Sequence, residues 1–346
     1  MLIVAGAILC LLPAPASSAG RTTTFSVLSF GAAGDGVADD SEIDGDMLAP
    51  PGMGYWPKAR RPLQWLNFKW LNGFTIQGTG TVDGQSTSLQ RVSPANVTQH
   101  WYVSGVKPTL IRFYSSFNVG VRNIRLTNSP QCHLKFDSSG SIKVKNITIS
   151  SPGDSLNTDG IHLQNTRNVD IRSSSIGCGG LGKDNSLACV SDVLAEHINV
   201  ENALYGVRIK TWQGGKGTVR NVTFSNVRVA NVATPIAIDQ FYCDGGSGRC
   251  RNSTDAVDIA GVAYRRVVGT YTYQPVHLAC SDARPCTGVT MADVSLSPAS
   301  AGVLRQPLCW KSYGQAMGMI EPTGIGCLQR SDGFVMPLTR PFNYSC

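Results

Sequence analysis

The chain has 346 residues, a formal net charge of +7, 42% hydrophobic and 15% charged residues, 37 glycines and 11 cysteines. So much apolar content excludes a disordered chain, and the length allows a large core in one extended domain or two ordinary ones. The positive charge has no Lys/Arg-dense run behind it, which argues against a nucleic-acid-binding arm and fits weak attraction to an acidic polymer.

Residues 1–19 are uncharged and apolar up to Leu12, then turn to Pro, Ala and Ser and end in Ser17-Ser18-Ala19. This predicts a secretory signal peptide over 1–19, cleaved near Ala19, although it lacks Lys or Arg at its start. Its apolar core is too short to span a membrane, and no later stretch is a candidate. Cleavage removes Cys10 and leaves ten cysteines, an even number suited to oxidised pairs outside the cell. Cys243 with Cys250 and Cys280 with Cys286 are close enough for local bridges. Asn-x-Ser/Thr sites at Asn96, Asn146, Asn221, Asn252 and Asn343 agree with a secreted, extracellular glycoprotein.

Through the middle a pattern of apolar-x-apolar-x-x-apolar-x-apolar recurs. It reads Val119, Val121, Ile124, Leu126; then Ile142, Val144, Ile147, Ile149; then Val169, Ile171, Ser174, Ile176; then Val193, Ala195, Ile198, Val200. It continues from Gly217 (Val219, Val222, Phe224), from Val257 (Ile259, Val262, Tyr264) and from Val289 (Met291, Val294, Leu296). The starts are 23, 27, 24, 24, 40 and 32 residues apart, the spacing of a solenoid. Gly, Asn, Ser and short β runs lie between, with no room for a helix in each repeat, so the expected class is an all-β solenoid. Asn123, Asn146 and Asn221 share one pattern position, as expected where each coil turns in a left-handed conformation.

Two runs stand out against this background. Asn157-Thr158-Asp159-Gly160-Ile161-His162-Leu163 carries a carboxylate, and Gly206-Val207-Arg208-Ile209-Lys210-Thr211-Trp212 carries two cations. Asp159 is 17 residues into the coil that begins at Ile142, and Arg208 is 15 residues into the coil that begins at Val193. Both strands therefore fall on one side of the solenoid, two turns apart. A carboxylate and a cationic pair in one groove suit hydrolysis of an anionic substrate. The bland reading makes Asp159 a turn residue and Arg208 and Lys210 a solvated face. His162 alternates with Asp159, so its side chain is expected to point elsewhere. Gly34-Asp35-Gly36 and Gly214-Gly215-Lys216-Gly217 open no helix and are not phosphate loops. The five His are scattered and no Cys-x-x-Cys occurs, so no metal and no cofactor is expected.

With these runs in place the chain resembles plant polygalacturonases, the pectin-hydrolysing glycoside hydrolases, over nearly its whole length. The resemblance is carried by residues 25–40, by Arg112-Phe113-Tyr114-Ser115-Ser116, Asn128-Ser129-Pro130-Gln131 and Ser151-Pro152-Gly153-Asp154-Ser155. It also rests on Asn157 to Leu163, Gly206 to Gly215, Ile238-Asp239-Gln240 and Tyr242-Cys243-Asp244. It implies a single right-handed parallel β-helix over 20–346, acting on pectin or polygalacturonan in the cell wall, expected to be monomeric, with no nucleic-acid or membrane partner. It further implies that Asp159 helps activate water, and that Arg208, Lys210 and Asn157 bind galacturonate.

The family also has a Gly-Asp-Asp and a Gly-His-Gly motif between Asn-Thr-Asp and Arg-Ile-Lys, and this sequence has neither. After Ser175-Ile176-Gly177 it passes directly to Cys178-Gly179-Gly180-Leu181-Gly182-Lys183-Asp184. About one coil is expected to be missing near 177–178, and a second segment near 42–43. Inverting hydrolysis needs an acid and a base, so the expected function is a polygalacturonase that is inactive or impaired. Neither Asp184 nor Asp192 sits in a motif that argues for a substitute acid. The alternative is a non-catalytic pectin-binding β-helix, which galacturonan affinity without turnover would support. A β-helix pectate lyase needs a calcium site of clustered carboxylates, which the sequence around Asp159 does not offer.

Overall fold

The computed structural model describes residues 40–49, 64–86, 108–151, 159–173, 187–243, 253–300, 304–322 and 328. The expected signal peptide, Asn157, Asp184 and Cys250 lie outside these residues. Neighbouring strands run parallel and stack coil upon coil. Among the described residues they form one sheet of ten strands and three of four. Along each strand apolar side chains alternate inward, so a single core runs the length of the coil stack. Phe68, Phe113 and Phe136 stack inside it with centroids 5.0 and 5.2 Å apart, and Phe224 stacks on Tyr264 at 5.4 Å.

The repeat positions stack as columns, with one shift of register. Val119, Ile142, Val169 and Val193 stack as expected, but the next members are Val222, Val262 and Val289. The coils read as beginning at Gly217 and Val257 are therefore displaced by five residues. The reason lies in the strand Lys216–Val232, where Val219, Val222, Phe224, Val227 and Val229 fit the pattern in two registers five residues apart. Gly217 is no core position. Its φ is +132°, and an added Cβ would lie 1.9 Å from the Ala188 carbonyl oxygen, so only glycine fits there.

The same shift sorts the corners into two ladders. Asn123, Asn146, Ser173, His197, Asn226, Arg266 and Asp293 occupy one, all left-handed with φ between 52° and 62°. Asn221 belongs to the other, with Asn118, Ser141, Asn168 and Asp192, also left-handed. Asparagine suits such a corner because its short amide tolerates the conformation and can bond to its neighbour one coil away. Asn146 Nδ2 donates to Asn123 Oδ1 at 3.1 Å, and Asn221 Nδ2 donates to Asp192 Oδ1 at 2.7 Å.

Thr166–Arg172 and Leu187–Glu201 stack directly with Val169 opposite Val193, so the solenoid keeps its register past residues 177–178. On either side of residues 42–43, Asp40–Glu42 stacks on Thr75–Gln77 and Asp46–Leu48 on Thr81–Asp83. The expected bridge between Cys280 and Cys286 is present, and Cys189, Cys243 and Cys309 are also disulfide-bonded. The even count suits oxidised pairs, but Cys132 is not in a disulfide among the described residues. Its sulfur is buried, 3.4 Å from the Leu134 carbonyl oxygen. Among the described residues no helix is long and apolar enough to cross a membrane.

Candidate active site

Two of the four-stranded sheets carry the two predicted runs at their edges. Asp159–Gln164 ends the sheet formed with Cys132–Asp137, Thr109–Tyr114 and Gln64–Lys69. Tyr205–Trp212 begins the sheet formed with Thr234–Tyr242, Val276–Ala279 and Leu308–Trp310. Each leads into a strand of the ten-stranded sheet, Thr166–Arg172 and Lys216–Val232, with Leu187–Glu201 between them. The two runs are thus two coils apart, as the repeat spacing predicts. In Tyr205–Trp212 the residues Gly206, Val207, Ile209 and Thr211 are buried, leaving Arg208 and Lys210 partly exposed. The strict alternation of Val207, Ile209 and Thr211 is what puts both cations on the outer face.

The structure brings Asp159 together with Arg208 and Lys210. Burial pushes the Asp159 carboxyl above its ordinary pKa, while the charges of Lys210, Arg208 and Lys135 pull it back down. Arg208 Nη2 donates to Asp239 Oδ2 at 2.9 Å, and its guanidinium lies 3.9 Å from the centre of the Tyr205 ring. Asp239 is fixed in turn, because its Oδ1 accepts the Phe241 N–H at 3.0 Å. Lys210 Nζ sits 4.1 Å from the centre of the Tyr242 ring, and Trp212 meets that ring edge-on at 5.8 Å. Both cations are therefore held by aromatic faces and a carboxylate before any ligand arrives. Asn157 lies outside the described residues.

His162 stands in register with Lys135 one coil away, and the charges of both Lys135 and Lys210 act on it. Burial is the main reason its pKa falls to about 3, so the ring is neutral, and its Nε2 has no hydrogen-bond partner among the described residues. Asp192 lies on the ten-stranded sheet, in a corner bonded by Asn221, and not on either groove strand.

Several residues of the site carry no role in the sequence reading. His133 Nδ1 is 3.0 Å from the carbonyl oxygen of Asp159, and its Nε2 is 3.3 Å from the Ser129 nitrogen and 3.0 Å from Ser151 Oγ. Burial lowers its pKa to about 4. A neutral ring satisfies this network with Nδ1–H donating to Asp159 and Nε2 accepting from the Ser129 N–H. His133 thus pins the backbone at the start of the Asp159 strand. Lys135, Arg112 and Asp137 lie on the preceding coils, with Arg112 donating to Asp137. The alternation Leu134-Lys135-Phe136 marks Lys135 as outward-facing. That it faces His162 follows only from the register.

The two buried histidines make a prediction about pH. Both have folded pKa values below the ordinary 6.5, about 4 for His133 and about 3 for His162. Unfolding lets them take up protons below pH 6.5, so their contribution is complete above that value and is lost as pH falls towards 4. Asp159, raised by burial, acts in the opposite sense. Urea-denaturation midpoints are therefore expected to fall through this window, and His133→Gln is expected to flatten the slope. A variant slope as steep as that of the parent chain would remove His133 as its cause.

The model of glycosyl hydrolases family 28 matches residues 52–180 and 175–305. The chain belongs to that family. A probable polygalacturonase of Arabidopsis thaliana is 29% identical over 334 residues, covering 85% of this chain and 72% of its own length. A polygalacturonase of Chamaecyparis obtusa is 33% identical over 298 residues, covering 74% of this chain but only 55% of its own. The chain therefore spans little more than half of that second relative. Among solved structures, a polygalacturonase from Erwinia carotovora matches with a TM-score of 0.56 at 21% identity, over 78% of this chain and 83% of its own. The family 28 fold is a right-handed parallel β-helix, in agreement with the parallel stacked coils described above.

Proposed function

We propose that this family 28 chain binds polygalacturonate in the groove beside Asp159 and, as its sequence stands, hydrolyses it poorly or not at all. The observation that carries the binding is that Arg208 and Lys210 share the outer face of one groove strand two coils from Asp159, near enough for their charges to act on its carboxyl. Arg208 offers a fork and Lys210 a point charge to uronate carboxylates. Asn157 joins them by its place in the Asn-Thr-Asp run. Asp159 is the residue assigned to activating water.

Inverting hydrolysis needs a second carboxyl to protonate the leaving oxygen, about 6.5–9.5 Å from the first. Asp137 and Asp239, the other carboxylates on the groove strands around Asp159, are each bonded to an arginine. The sequence contains no Gly-Asp-Asp and no Gly-His-Gly. The family match in two blocks, meeting at residues 175–180, supports the reading that a coil has been lost at that junction. We place the protein outside the cell, in the wall, as one β-helical domain behind a leader over residues 1–19.

Calorimetry with oligogalacturonates tests the binding. The parent chain is expected to bind, and Lys210→Met, which leaves the Arg208–Asp239 pair intact, is expected to weaken binding about tenfold. An absence of measurable affinity in the parent chain would sink the proposal.

A further inference from the structure

The ten-stranded sheet carries a column of like charges on a face that lies around a corner from the groove. Three successive coils turn at the left-handed residues Ser115, Ser138 and Asn165. They then enter this sheet as Phe117–Arg122, Gly140–Lys145 and Thr166–Arg172. Alternate valines and isoleucines of these strands point into the core, which leaves Arg122, Lys143, Lys145, Arg167 and Arg172 exposed. Asp170 is the one carboxylate on the three strands, so this patch supplies more than half of the net charge of +7. Arg122, Lys145 and Arg172 lie in register on adjacent coils, about 4.8 Å apart. Like charges placed opposite one another repel. The outer two cations bond away from the middle one. Arg122 Nε donates to Gln77 Oε1 at 2.6 Å, and Arg172 Nε donates to Asp170 Oδ1 at 2.8 Å. Lys143 and Lys145 form no ion pair among the described residues.

We propose that this column is a docking ridge for a linear polyuronate, which tethers the protein to the wall polymer on a face separate from the groove. The identity of the polymer rests on the polygalacturonate reading above. Charge complementarity selects the partner: the cations repeat along the coil axis, and a polyuronate repeats carboxylates along its own. A small anion would meet one cation and leave the others opposed. A polymer laid along the column relieves the repulsion that the register leaves between them. Glu196, in register with Arg172 and 3.7 Å from its Nη1, closes the column at one end. Each exposed contact is weak, so the ridge holds by several acting together. With the groove around a corner, the two faces engage different stretches of polymer. Contact at one then raises the effective concentration at the other.

The experiment is salt-gradient elution of the full chain from immobilised polygalacturonate, with calorimetry on trigalacturonate as a separate reading of the groove. The variant combines Lys143→Gln with Lys145→Gln, and a thermal midpoint at or above that of the parent shows its fold intact. Its affinity for the polymer is expected to fall about tenfold, with elution at lower salt. Elution together with the parent overturns the ridge and leaves the Arg208–Lys210 site standing. An equal loss on immobilised polyglutamate overturns the polyuronate as partner and gives the face to acidic polypeptides. Asn146 begins an Asn-x-Thr run at the corner beside Lys145, so Thr148→Val, which removes the run, is measured alongside. Retention seen only in that variant overturns the ridge, because a sugar chain would then cover it in the natural protein. Ridge-dependent retention in a parent that binds no trigalacturonate overturns the groove reading alone. A parent that binds neither ligand overturns both.

Discussion

Supplied with polygalacturonate, the chain is expected to release reducing ends ~10²–10⁴-fold more slowly than a family 28 protein carrying all four motifs. The expectation rests on the proposed lack of a proton donor. Departure of a sugar alkoxide needs a proton delivered in the transition state, and a water-activating carboxylate cannot supply it. Burial holds the Asp159 carboxyl above its ordinary pKa, and the charges of Lys210, Arg208 and Lys135 offset this only in part. Asp137 and Asp239 are bonded to Arg112 and Arg208. A reducing-sugar assay decides the matter, and a rate within tenfold of such an enzyme would mean that a carboxyl outside this account does the acid work. Inserting one coil that bears Gly-Asp-Asp and Gly-His-Gly after Ile176 is expected to recover the rate. Sequencing the transcript across the codons for residues 176–182 would show whether the natural message already contains that coil.

Phe113→Ala is expected to destabilise the fold by ~3–5 kcal/mol. Phe113 is fully buried and sits between Phe68 and Phe136, so its removal opens a cavity that touches three successive coils. Its neighbours are rings already committed to their own stacking, which leaves little scope for collapse. Urea denaturation of the parent and the variant measures the difference. A loss below about 1 kcal/mol would show that the stack relaxes into the space, contrary to the packing argument.

The groove was legible because strand alternation is local. Arg208 and Lys210 are two residues apart with Val207, Ile209 and Thr211 turned inward, so their common face could be read from the run itself. The coil period likewise put them two turns from Asp159. What escaped was information that lives between coils. The pairing of Arg208 with Asp239 joins residues 31 apart, and His133 reaches Asp159 across 26. Neither follows from a period without an established register. The five-residue displacement at Gly217 arose for the same reason, since an apolar pattern that repeats within one long strand fits its neighbour in two ways.

The left-handed corners give the molecule an axial scale with discrete divisions. Each corner is satisfied within its own coil and by the coil beside it, and successive coils meet in the same register, as Val169 and Val193 do, so that the loss of a whole coil would leave its neighbours able to stack. Removing one coil shortens the distance between any two groups on either side by a single step of about 4.8 Å and leaves their lateral positions untouched. Groups that had to act together across such a deletion would be misplaced by a fixed increment, while packing on both sides stayed unchanged. In such an architecture thermal stability and chemical competence can separate completely, and a melting curve is blind to the loss that an activity assay would register.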